Sequence, residues 1–192
     1  MRVLTTTLCY PTLVQPDRGV FVERRTIAIA QRADVQVEVA APQPWFPVLR
    51  AEALPHGRRE PVQAAYPRTL SAPVLGWATD GLAYADALSR FIRRRCPTGT
   101  AGFDLIDAHF EYPDGVGAWL AGRRLGIPVV VTVRGKIVSL SRRTLRRLQI
   151  AAMLRGVDAR IAVSESLAAC VRRIGGAPSL IVGPYHGSPS EF

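Results

Sequence analysis

Short apolar runs rich in valine and isoleucine, spaced by segments of helical period, constrain this chain more than any other feature. The run from Ile127 to Val133, IPVVVTV, is apolar almost throughout, as a strand covered on both faces of a parallel sheet must be. Phe103 to Phe110 reads as a further strand, and the first run is Arg2 to Cys9. Asp34 to Ala40 alternates apolar and polar residues, and Ala159 to Val163 and Leu180 to Val182 add shorter strands. Between them, Val20 to Ala33, Asp80 to Arg95, Asp114 to Leu125, Arg142 to Arg155 and Glu165 to Ile174 have helical spacing. In the second of these Leu82, Leu88 and Ile92 are expected to face inward. Strand and helix in alternation build βαβ crossovers, so the expected fold class is α/β: one doubly wound, mostly parallel sheet with helices on both faces.

Chain punctuation refines this outline. Gly126 closes the helix before IPVVVTV, and Ser164 followed by Glu165 has the chemistry of a helix N-cap, which is the role expected of it rather than catalysis. Ala41 to Thr79 is rich in proline, carries Trp45, Phe46, Tyr66 and Trp77, and is too long for a plain connection. A short strand near Val62 to Tyr66 is expected inside it.

With 192 residues, 48% hydrophobic and 21% charged, the chain has the balance of one globular domain rather than a disordered segment. Its N-terminus, MRVLTTTLCYPTLV, reads as a first strand: three threonines dilute the apolar run and Pro11 interrupts it. No segment reaches the ~18 consecutive apolar residues of a membrane span, so a cytoplasmic or peripheral location is expected. Cys9, Cys96 and Cys170 lie too far apart for a zinc cluster and read as reduced, structural thiols. The net charge is +10, and Lys136 is the sole lysine among the basic residues. An arginine-rich surface suits phosphates, anionic lipids or nucleic acid, although no nucleic-acid motif is present and no nucleic-acid partner is expected.

In an open parallel sheet, ligands sit outside the carboxyl ends of the strands at the switch point, which selects a few loops. In TLCYPTLVQPDRGVF, Gly19 precedes the first helix, where it either lets an anion approach the helix N-terminus or simply makes a turn. The loop contains neither GxGxxG nor GxxxxGK[ST]. His109 ends the strand DLIDAHF, placed to donate to a sugar hydroxyl or phosphate or to move a proton; a structural role is the alternative. Asp107 shares its face, and Asp114 reads as a helix cap. After IPVVVTV, Arg134, Gly135 and Lys136 form either an acceptor or phosphate clamp or a solvated basic turn. In SRRTLRRLQIAAMLRG, Arg142, Arg143, Arg146 and Arg147 beside Leu145, Leu148 and Ala152 make a basic amphipathic helix. Such a helix either lies on an anionic membrane surface or is an ordinary arginine-rich face.

Three stretches, "YPTLVQPDRGVFVERR", "FDLIDAHFEYPDGVGAWLAGRRLGIPVVVTVRG" and "DARIAVSESLAACVRRIGG", in their order and spacing, carry a resemblance. Along nearly its whole length the chain resembles the N-terminal, acceptor-side half of the retaining glycosyltransferases of family 4, whose GT-B fold has two facing Rossmann-like domains. The resemblance implies a sugar moved from a nucleotide-sugar donor to a glycan or lipid-linked acceptor, with no metal in the chemical step. It implies Gly19 beside the donor diphosphate, His109 facing the transferred sugar as the catalytic residue, and Arg134 and Gly135 at the basic position and glycine after the fifth strand.

The departures are informative. Relatives follow arginine-glycine with a small residue and an aspartate, where this chain has Lys136 and Ile137. The usual hinge, proline-asparagine-glycine-valine-aspartate, is replaced by Pro184-Tyr185-His186-Gly187-Ser188. Residues 1–183 are therefore expected to be the acceptor-side domain and 184–192 an altered hinge, with the donor side supplied elsewhere. Alone, such a half is expected to bind no cofactor and to be nearly inactive. The competing expectation is a non-catalytic domain that binds a phosphorylated glycan, an anionic lipid or a protein partner.

Overall fold

A computed structural model describes residues 1–47, 57–59, 62–71, 76–97, 102–135, 144–175 and 180–181. Its main sheet comprises β1 (Arg2–Thr6), β2 (Gln36–Ala40), β4 (Gly57–Arg59), β5 (Val62–Ala65), β7 (Leu105–His109), β8 (Val129–Val133), β9 (Ala159–Ala162) and β10 (Leu180–Ile181), in the order β10-β9-β8-β7-β1-β2-β5-β4. All neighbours are parallel except β4 on β5. From β1 the chain moves outward to β2 on one side and later to β7 on the other, so the switch point lies between β1 and β7. This is the α/β, doubly wound Rossmann-like fold expected from the strand and helix alternation.

The helices are α1 (Val20–Ala30), α2 (Gly76–Arg95), α3 (Val116–Leu125), α4 (Thr144–Gly156) and α5 (Glu165–Ile174). One buried cluster holds α1 against β2 and β5 through Val22, Val39, Val62 and Ala64. A larger one gathers Leu4, Ile106 and Val131 with Tyr84 and Leu88 of α2, Ala118 and Ala121 of α3, Met153 of α4 and Val171 of α5. Between α2 and α3 the backbones approach closely enough that a Cβ on Gly117 would stand 2.6 Å from the Tyr84 ring.

Several expectations change in detail. β3 (Gln43–Trp45) and β6 (Arg68–Leu70) pair as a separate parallel ribbon inside the proline-rich stretch, where only the strand at Val62 is expected from sequence. Leu82 is exposed, whereas Tyr84, Ala85, Leu88 and Ile92 are buried, because the inner stripe of α2 passes about 100° away from Leu82. The N-cap position of α3 is Gly115 rather than Asp114, and the Asp114 carboxylate accepts the N–H of Leu8, tying the end of β1 to the turn after β7. Ser164 caps α5 by accepting the N–H of Leu167, and Gly126 closes α3 in a left-handed conformation. Residues 184–192 lie outside the described residues.

Candidate functional site

β7 ends at His109 because Phe110 leaves the strand at φ 72 and ψ 163, a region that glycine enters freely and a bulky residue occupies at a cost of about 1–3 kcal/mol. Phe110 is held there by its N–H, which donates to Thr132 O at 3.0 Å, and by an edge contact of its ring with Phe21. An irregular π-type turn, Glu111–Gly115, follows before α3. The ends of β7 and β8 are thus fixed side by side, with His109 in register with Thr132.

At this junction Arg134 Nε donates to His109 Nδ1 at 3.3 Å, and His109 Nε2 lies 3.3 Å from Asp107 Oδ2. With Nδ1 placed to accept from Arg134, the ring N–H of His109 is assigned to Nε2, facing the carboxylate. Arg25 approaches the same Asp107 oxygen at 3.7 Å. Burial pushes the Asp107 carboxyl up, but the His109 ring and the guanidiniums of Arg25 and Arg134 outweigh burial and hold it below the usual carboxylate range. Burial and the neighbouring Arg25 charge lower the Arg134 guanidinium from its ordinary value, and it remains a cation. The Arg134 guanidinium lies over the Phe21 ring, 4.7 Å from its centre, and its backbone N–H donates to Glu111 Oε1 at 2.7 Å.

His109 is fully buried and Arg134 is half-buried. Of the pair, Arg134 is the one with surface exposed to solvent. Asp107 and His109 are thus coupled inside the protein, with the Asp107 carboxylate almost wholly buried.

Gly19 is the residue before α1, with φ 71, and a Cβ there would fall 2.0 Å from the Cys9 carbonyl oxygen. Its glycine is required by the backbone before any ligand is considered. Two residues on, Phe21 carries the first turn of α1 under Arg134, so the Gly19 loop borders the same junction. Leu13 and Val14 at the tip of that loop are 78% and 76% exposed. Gly135 is exposed at φ 55 with nothing near its Cα hydrogen, while Lys136, Arg142 and Arg143 lie outside the described residues. Arg146 turns inward over the Tyr112 ring, 5.1 Å from its centre, and Arg147 faces solvent. His109 and Arg134 are therefore joined directly, Gly19 flanks them, and the arginines of α4 point in different directions.

Phe21, Arg25 and Glu111 belong to the junction without having been singled out by the sequence. A signal for the first two exists: they are four residues apart and share a face of α1. Among the described residues no three histidine, cysteine or acidic side chains gather as a metal site, and no described helix is long and apolar enough to cross a membrane.

A sequence model of glycosyltransferase family 4 matches residues 22–183. A teichuronic acid biosynthesis glycosyltransferase of Bacillus subtilis, TuaC, itself assigned provisionally, is 26% identical over 151 residues, which are 73% of this chain and 38% of the relative. The chain thus spans well under half of that protein. Among solved structures, a sucrose-phosphate synthase form from Thermosynechococcus elongatus superposes with a TM-score of 0.63 at 13% identity, covering 100% of this chain and 92% of that one. HepE of Anabaena, solved in complex with UDP and glucose, superposes at 0.55 with 15% identity, covering 100% of this chain and 48% of that one. These structural likenesses concern the fold.

Proposed function

Because the chain belongs to glycosyltransferase family 4, we propose that it is the acceptor-side half of an enzyme that moves a sugar from a nucleotide-sugar donor to a glycan or lipid-linked acceptor with retention of configuration. The observation that carries this reading is the contact of Arg134 with His109 at the carboxyl ends of β7 and β8, beside the switch point where open α/β sheets take their ligands. That HepE was solved with UDP and glucose supports a nucleotide-sugar donor for the whole enzyme of which this chain is part.

Arg134 is the cation that an incoming phosphate or acceptor oxygen reaches first, and a guanidinium offers it paired donors. Once Arg134 turns to the ligand, His109 Nδ1 is freed and the ring, steadied by Asp107, can orient the reacting groups as the catalytic residue. Gly19, before α1, would face the donor diphosphate, and Gly135 follows Arg134. A second domain holds most of the donor and closes the cleft against water, and this half carries no cofactor of its own.

The test is transfer of radiolabelled sugar from UDP- and GDP-sugars with a donor-side domain supplied by fusion. Label transfer that falls at least about a hundredfold in His109→Ala supports the reading, and transfer indifferent to both His109→Ala and Arg134→Ala refutes it.

A peripheral site on the cytoplasmic membrane face is part of the same proposal. On α4, Leu145 and Leu148 are 41% and 59% exposed on either side of the outward-facing Arg147, which is the composition of a helix resting on anionic lipid. Sedimentation with phosphatidylglycerol vesicles should retain the chain at low salt and release it as salt rises. Equal partition onto neutral vesicles would contradict it.

A further inference from the structure

We infer that Glu111 is a positioning residue: its buried carboxylate sets the backbone of Arg134 so that the guanidinium closes over His109, and its charge lets two arginines share the junction. The inference rests on the proposed cleft and names what holds it in its closed form.

Glu111 is fully buried, an environment that a carboxylate tolerates only with hydrogen bonds and opposite charge nearby. Oε1 accepts the Arg134 N–H at 2.7 Å, immediately after β8 ends at Val133, where the chain loses its ladder partners. A backbone amide at that point needs an acceptor, and the acceptor chosen fixes where residue 134 leaves the sheet. From that exit the Arg134 side chain reaches back both to His109 Nδ1 and over the Phe21 ring. Displacing the exit by an ångström would separate Nε from Nδ1, already 3.3 Å apart.

Charge gives the second reason for a carboxylate here. Arg25 and Arg134 repel one another across the junction, while Asp107 and Glu111 both act on Arg134 in the opposite sense. The two arginines face these two carboxylates, Asp107 from β7 and Glu111 from the turn that follows. The strained entry at Phe110, φ 72, opens that turn.

The test is a nitrogen-detected NMR comparison of the intact chain with Glu111→Ala and Glu111→Gln, following the Arg134 Nε–H signal and the His109 ring nitrogens, alone and with UDP as the probe. In the parent chain the Nε–H should exchange slowly and its partner nitrogen Nδ1 should be unprotonated. Glu111→Ala should speed Nε–H exchange at least tenfold and shift Nδ1, with the amides of β1 and β2 unmoved. Glu111→Gln should restore the Arg134 backbone amide while leaving Nε–H exchange raised, since it keeps an acceptor and loses the charge. Unchanged Nε–H and Nδ1 signals in Glu111→Ala would overturn the inference whatever happens to its melting temperature, and if that variant does not fold, unchanged Nε–H exchange in Glu111→Gln would do so. Absence of UDP binding by the parent chain would count against the nucleotide cleft alone, because the ring and guanidinium signals decide the role of Glu111 without ligand.

Discussion

Asp107 is the residue through which most of the junction's electrostatics passes. It is buried, faces His109 and Arg25, and its carboxyl is held below its ordinary range. A carboxyl lowered on folding contributes stability above its unfolded value, near ~3.9, and that contribution is lost as pH falls through the lower folded value. Asp107→Asn should therefore cost about 2 kcal/mol in urea unfolding at pH 7, and the difference from the parent should shrink as pH falls below about 4. A gap independent of pH would contradict the assignment. Gly19 makes a second residue-scale prediction. Gly19→Ala must adopt a positive φ and displace the Cys9 carbonyl, so a loss of about 2 kcal/mol or more is expected by denaturant titration. The position of His109 at the end of β7 is legible in the sequence because a polar ring there stands out against the apolar residues before it. Its closure by Arg134 is not, because a flexible side chain chooses its partner only after β7 and β8 are aligned.

The outlines of the elements follow from period, and their ends from local chemistry. The α5 N-cap illustrates this: Ser164 and Glu165 can be read directly, and Ser164 accepts the Leu167 N–H. Ser164→Ala should cost about 1 kcal/mol, read as a lower melting temperature with the sheet intact. A side chain larger than hydrogen at Gly117 strikes Tyr84, so Gly117→Val should push α2 from α3 and cost about 2 kcal/mol; a neutral effect would mean that the two helices are free to part. Elements are least legible between Ala41 and Thr79, where prolines and aromatics leave no period. The ribbon of β3 with β6 depends instead on pairing across the intervening chain. Leu82 teaches a related lesson, since two stripes of α2 carry apolar residues and only tertiary packing selects the one through Tyr84 and Leu88.

At the scale of the molecule, strand order turns separate segments into one place. β1 sits between β2 and β7, bringing the Gly19 loop, His109 and Arg134 to the carboxyl ends of neighbouring central strands although they are far apart in the chain. The alternation of strands and helices made the sheet predictable, and the chain's membership of glycosyltransferase family 4 over residues 22–183 agrees with that fold. A net charge of +10 gives the chain as a whole a field that draws anions. The measurement that tests the central claim most directly is a heteronuclear NMR titration of the chain with UDP, GDP and their sugar conjugates up to about 1 mM, the weak end of specific binding, with Arg134→Ala as control. Shifts gathered at Gly19, His109 and Arg134, and lost in Arg134→Ala, are the predicted result; shifts scattered over the surface, or none at any of the three, would contradict a nucleotide-sugar cleft at the switch point.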